Sequence, residues 1–227
     1  MSGFDPIRRL AVPPAVFITA SATGYYGDGG EAVLDENAGR GAGFAGKMCL
    51  MREARARVAE ALKVRTVVLR YGIVLGHDGG ALPGLAGPVR FGLGVIMGHG
   101  RQWMPWLHID DAIGLIEHAI DTPSVRGAVN AVSPEPVRTG DFMRTLGTVL
   151  NRPVFVRIPA LLLRTTLGEM ANLFLDSARA VPAAAQDTGY RFRHAGLKSA
   201  LRDLLKPVCR PGHGAASALM TWVNGAQ

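Results

Sequence analysis

The chain has 227 residues, 48% of them hydrophobic and 19% charged, with a net charge of +7 and a pI near 10.0. That balance excludes intrinsic disorder, which needs low hydrophobicity and dense charge. Twenty-nine Gly and 14 Pro in no strict period exclude a collagen-like chain, and two distant cysteines, Cys49 and Cys209, exclude a disulfide framework.

The first elements follow from local pattern. Arg8-Arg9 and the apolar run to Ala20 imitate a secretory signal, but Pro13-Pro14 interrupts it. Residues 15–20 (Ala-Val-Phe-Ile-Thr-Ala) instead predict a buried parallel strand. A Gly- and acid-rich loop, 24–43, leads to a helix over about 43–62 and a strand over 66–70. Strands separated by helical segments imply crossovers and a parallel sheet buried on both faces.

Further along, a helix is expected near 82–92 and one short strand over Trp103–His108. Asp110 or Asp111 should cap a helix through Asp121, with Ile113, Leu115, Ile116 and Ile120 on its apolar side. A strand at 128–130 follows, then a Thr139-capped helix to Leu150 and a strand at 154–156. Pro159 should open a helix to about Leu173, and a last helix should cover about 195–205. Residues 207–227 read as a loose tail. No apolar stretch approaches the roughly 18 residues that span a bilayer.

Charge is uneven. Residues 151–227 hold ten basic and four acidic side chains, so most of the excess lies there. No run of five like charges occurs and no nucleic-acid signature is present, so neither nucleic acid nor membrane is expected as a partner. Free thiols suit a reducing, cytoplasmic setting.

Chemistry concentrates in three clusters. Ser21-Ala22-Thr23-Gly24-Tyr25-Tyr26-Gly27 follows the carboxyl end of a parallel strand, the edge where open α/β sheets bind ligands. Arg70-Tyr71-Gly72-Ile73-Val74-Leu75-Gly76 leaves a second strand at the same edge. Gly100 to Asp111 holds Gln102, Trp106, His108 and two aspartates. His-x-Asp-Asp lacks a second His at metal spacing, so no metal site is expected.

These segments, with Gly168-Glu169-Met170-Ala171-Asn172-Leu173, Ser177-x-Arg179-x-x-Pro182 and Gly189-Tyr190-Arg191-Phe192, resemble the NAD-dependent epimerase/dehydratase family. The likeness is to its epimerase-like branch, of extended short-chain dehydrogenase/reductase type, with a C-terminal domain of unknown function. It covers roughly residues 7–206.

The resemblance implies an α/β fold: part of a Rossmann-like parallel sheet, an α-rich substrate lobe and a C-terminal segment. Residues 1–150 would carry the sheet and substrate-lobe segments, and residues 151–206 the terminal domain. It implies NADP or NAD, held through Ser21, Ala22, Arg70, Gly72 and Val74. The substrate would be a nucleotide sugar or other small carbonyl compound, contacted by Tyr25, Gln102, Trp106 and His108. It leaves room for a homo-oligomer.

Two features depart from the family. The G-x-x-G-x-x-G dinucleotide fingerprint would lie before Met1, with roughly 60–90 residues of βαβ units, which argues against tight cofactor binding by this chain alone. The Tyr-x-x-x-Lys pair is replaced by Phe44-x-x-x-Met48, which can neither pass a proton nor lower a pKa. Thr23, Tyr25, Tyr26 and His108 are the remaining acid–base candidates. A truncated form with weak or no activity is therefore expected, or a non-catalytic interaction module.

Overall fold

The computed structural model of the protein describes residues 12–171 and 175–206. Strand β1 (Val16–Ala22) runs into a 3-10 turn at Thr23–Tyr26, then β2 (Val33–Leu34) and helix α1 (Phe44–Ala61). Next come β3 (Arg65–Tyr71), β4 (Ile73–Leu75), α2 (Leu82–Arg90), β5 (Gly94–Met97), β6 (Trp103–Met104) and β7 (Trp106–His108). Helix α3 (Ile109–Asp121), β8 (Gly127–Ala131), β9 (Val137–Arg138), α4 (Thr139–Leu150) and β10 (Val154–Ile158) follow. The last elements are α5 (Ala160–Leu167), β11 (Arg179–Ala180), α6 (Ala183–Asp187) and α7 (Leu197–Leu205).

The architecture is α/β with parallel strands. Its main sheet has the order β1-β3-β8, with Ser21 opposite Arg70 and Arg70 opposite Asn130. Five consecutive residues of the central strand, Thr66–Arg70, are buried, as a strand covered on both faces must be. Strand β1 departs from that expectation. Among the described residues it pairs on one side only, and residues 16–19 are half-buried and Ala20 exposed.

Gly72 lets the chain change partners. Strand β3 pairs with β8, but β4, just beyond Gly72, pairs with β7. A Cβ at Gly72 would lie 2.7 Å from the Pro105 carbonyl oxygen, so only glycine permits this approach.

Two cores result. Val67, Leu69, Leu107, Leu115, Ala119 and Val129 pack around the sheet and α3. Leu75, Leu82, Val89, Ile96, Trp106, Phe142, Leu146 and Leu201 form the second, which joins α2, α4 and α7. Strand β10 pairs with β5, so late segments of the chain complete a core begun by earlier ones.

Several expectations need correction. The run Trp103–His108 is two strands, because Pro105 has no N–H to continue a ladder; β6 pairs with β9 and β7 with β4. His108, and neither aspartate, caps α3: its Nδ1 accepts the Asp110 N–H at 3.1 Å. Thr139 lies inside α4, where its hydroxyl donates to the Gln102 carbonyl.

Leu115 is buried as expected, but Ile113, Ile116 and Ile120 are exposed, and α3 buries Ala112, Gly114 and Ala119 in their place. The small side chains win that face because other groups press against it; a Cβ at Gly114 would collide with the Tyr190 hydroxyl. Helix α5 stops at Leu167, since Gly168 adopts a left-handed φ of 56°. The far end of α3 is plugged by Arg65. Its guanidinium donates to the carbonyls of Ala119, Ile120, Thr122 and Val125. Cys209 and the segment 207–227 lie outside the described residues.

Candidate functional site

The carboxyl ends of β1, β3 and β8 bring Ser21, Arg70 and Asn130 side by side through their register. Their side chains form one buried network with Glu53 of α1. Arg70 Nε and Nη2 donate to the two Glu53 oxygens at 2.9 and 2.8 Å, and Ser21 Oγ donates to Oε1 at 2.9 Å. Arg70 Nη1 donates to the Tyr26 hydroxyl, which in turn lies 2.8 Å from Asn130 Oδ1. Asn130 Nδ2 reaches the carbonyls of Leu34 and Val181.

The charged pair is almost dry, with side chains 5% and 8% exposed. Burial alone would lower the Arg70 pKa; the bonds to Glu53 and Tyr26 outweigh it and the net direction is upward. Burial is the main cause that raises Tyr26, against the Arg70 bond. The Arg70 guanidinium also lies 3.6 Å above the Tyr25 ring, a cation–π contact that pins that ring against the sheet edge.

The remaining residues singled out from sequence fall in different places. Thr23 is buried, its hydroxyl 3.4 Å from the Tyr71 carbonyl. The Ala22 carbonyl accepts the Cys49 thiol. Gly72 and Val74 flank the partner change, and the Val74 carbonyl accepts Ala81 N–H. Trp106 is a core residue, 1% exposed. His108 is equally buried but sits at the start of α3, and no hydrogen bond among the described residues joins it to the Tyr25–Arg70 group.

Gln102 lines a separate open cleft of about 400 Å³ with Asp28, Glu31, His99, Arg101, Arg138 and Ser177. Arg138 grips the Glu31 carboxylate at 2.9 and 3.1 Å, and Trp103 Nε1 donates to it at 3.0 Å. These bonds, that from Arg138 foremost, hold Glu31 below the usual carboxylate range. Arg138 and Arg179 both stack on the Trp103 ring. Ser177 closes the cleft floor, donating to the Gly30 carbonyl and accepting Trp103 N–H. Of this lining the sequence singles out Gln102, with Arg101 in the same cluster, and the Ser177-x-Arg179 motif points to Ser177; Glu31 and Arg138 carry no such signal.

The residues near the carboxyl ends of β1 and β3 fit part of a dinucleotide. Phe44 and Met48, on the first turns of α1, are 68% and 39% exposed, and such apolar groups suit the face of an aromatic ring. A pyrophosphate needs a glycine turn that opens a helix, and Gly27-Asp28-Gly29-Gly30 leads instead to β2.

Comparisons with known proteins identify the family. The model of the NAD dependent epimerase/dehydratase family fits residues 5–131. The chain belongs to that family. A domain of unknown function, DUF1731, matches residues 158–204. The epimerase family protein SDR39U1 homolog of Arabidopsis thaliana, a chloroplastic protein, is 37% identical over 194 residues. That match covers 85% of this chain and 55% of the relative, so the chain spans little more than half of that protein's length. The Mus musculus epimerase family protein SDR39U1 is 35% identical over 88% of this chain and 68% of its own.

Among solved structures, human SDR39U1 (isoform 2) with NADPH superposes with a TM-score of 0.81 at 29% identity. It covers 89% of this chain and 69% of its own. The fold is thus the Rossmann-like fold of the epimerases. No helix among the described residues is long and apolar enough to cross a membrane.

Proposed function

We propose that this chain supplies the nicotinamide-side and substrate-side walls of an NAD(P)-dependent epimerase-type protein. The observation that carries this reading is the sheet edge where Ala22 pairs with Tyr71, the Tyr25 ring lies over Arg70 and Gly24 packs on Ala45 in the exposed first turn of α1. The family match and the NADPH in the human relative support it.

Here Tyr25 offers a ring face and a hydroxyl, pinned by Arg70. Phe44 and Met48 offer apolar contact and exclude water. Nicotinamide, when bound, supplies hydride chemistry. This chain's own residues hold the ring and present Tyr25 as the accessible hydroxyl, because the Tyr26 hydroxyl is committed to Arg70 and Asn130.

The cleft beside Gln102 would take the substrate. Its mixture of guanidinium, imidazole and carboxylate groups suits a small polar molecule with an anionic portion, such as a nucleotide sugar. Residues 158–204 contribute Ser177 and would act as part of that lobe, distinct from the sheet carried by residues 1–150.

Without a Tyr-x-x-x-Lys pair, redox turnover is expected to be weak or nil. NADPH titration by fluorescence tests the reading. Saturable quenching that weakens in Tyr25→Ala supports it. Absence of binding by a folded chain favours the alternative, a non-catalytic interaction module, to which the exposed Phe44, Met48 and Met51 would contribute a docking face.

A further inference from the structure

His108 and Asp110 at the start of α3 meet His194 and Asp203 from the C-terminal part of the chain. The two imidazoles are stacked, with centroids 3.6 Å apart and planes 14° from parallel. His194 Nε2 lies 3.3 Å from Asp110 Oδ2, which is also 3.7 Å from His108 Nδ1. His108 Nε2 lies 3.5 Å from Asp203 Oδ2, and it forms no hydrogen bond there among the described residues. Beside this group the buried Asp111 carboxylate accepts three bonds: Arg193 N–H at 2.8 Å, His194 N–H at 2.9 Å and the Tyr190 hydroxyl at 3.1 Å.

Two imidazoles and two carboxylates invite a metal ion, but the stack argues against one. A metal lies in the plane of each ring that binds it, about 2.0–2.1 Å from nitrogen. Between near-parallel rings 3.6 Å apart, one ion cannot lie in both planes. The tautomer argues the same way. His108 Nδ1 accepts the Asp110 N–H, so the neutral ring carries its proton on Nε2, the atom that faces Asp203.

A proton, in contrast, has a defined consequence. Added to neutral His108 it must go to Nδ1, where it expels the Asp110 N–H and destroys the cap of α3. It also places a cation against the stacked His194 ring. We propose that the His108–His194 stack is a proton-operated latch that fastens residues 190–205 to the start of α3, closed at neutral pH and opened by acid.

The charged groups facing the stack are Asp110 and Asp111 of α3, and Asp203 of α7 with its partner Lys206. Burial, followed by the His194 charge, pulls the His108 pKa below its ordinary value against the pull of those three carboxylates. The latch therefore stays shut above the ordinary imidazole value, about 6.5, and opens as pH falls through the lower, folded value.

Amide hydrogen exchange of Arg193 and His194 in the full chain tests this, from about pH 8 to about pH 5 and corrected for intrinsic exchange. Protection should fall about tenfold or more toward acid, in step with His108 titration seen by NMR. In His108→Asn, which keeps a capping acceptor, protection should become nearly pH-independent. His194→Phe, which keeps a stacked ring but removes the charge that pulls His108 down, should move the transition to higher pH and serves if the first variant misfolds. Exchange that is independent of pH in the unmodified chain overturns the proposal. So does a zinc-dependent rise in Tm at neutral pH that disappears in His108→Asn, which would indicate a metal centre instead.

Discussion

Two buried polar groups, at the ends of β3 and β7, make an informative contrast. Around Arg70, the Nε, Nη1 and Nη2 atoms, both Glu53 oxygens and the Asn130 amide all have partners. Around His108, one ring nitrogen caps a helix and the other meets a carboxylate only at 3.5 Å. The first group is closed and its charges are permanent. The second is loosely paired and holds the one buried imidazole at that strand end, so it responds to protons. Satisfied networks fix a backbone; partly satisfied ones leave it a choice.

Removing Glu53 should break the contrast most severely. Glu53→Ala strands the Arg70 guanidinium in a dry site, which costs about 3–5 kcal/mol when one partner of a buried pair is lost. Urea denaturation should show that loss, and retention of the unmodified midpoint would refute the account of the network. Asp111→Ala comes next. It frees Tyr190, Arg193 and His194 together and should cost about 2–3 kcal/mol on the same measurement, on the scale of bonds to a charged group.

The pH dependence should be smaller. Because the folded state holds His108 deprotonated more firmly than the unfolded chain does, its stabilising contribution is complete above about pH 6.5 and is lost below it. Tm measured against pH should bend downward there, and His108→Asn should flatten that bend. The least effect is expected at the open cleft. Glu31→Gln removes a largely solvated partner of Arg138 and should leave the urea midpoint unmoved while tightening an anionic ligand in the cleft, because Arg138 loses its competing carboxylate.

Local pattern exposed much of the fold in advance. Apolar runs and β-branched residues marked β1, β3 and β8, and Pro159 marked the start of α5, although its end at Leu167 falls short of the expected Leu173. The caps misled because Asp110, Asp111 and Thr139 are all good capping residues in suitable places; the tertiary structure used His108 for one helix and engaged Thr139 elsewhere. Exposure of Ile113, Ile116 and Ile120 was hidden for a related reason. Helical period shows which residues share a face, but not which face meets the sheet.

The candidate site was legible in its parts and not in its assembly. Ser21, Tyr26 and Arg70 stood out as residues, yet Glu53 as the common partner of Ser21 and Arg70 did not, since spacing along a chain says little about approach across it. Likewise His194 lies 86 positions after His108, and only the docking of the 190–205 segment brings them into a stack.

Arg65 gives α3 a mechanical character. Its guanidinium rivets the last carbonyls of that helix to the beginning of β3, the central strand. A rod held fast at one end and clasped at the other by a releasable catch behaves as a cantilever. Acid would free the tip near Ile109 while the root near Ala119 stays fixed. Loosening would then travel from the sheet's ligand-facing edge inward, and its reach would be limited by that one arginine.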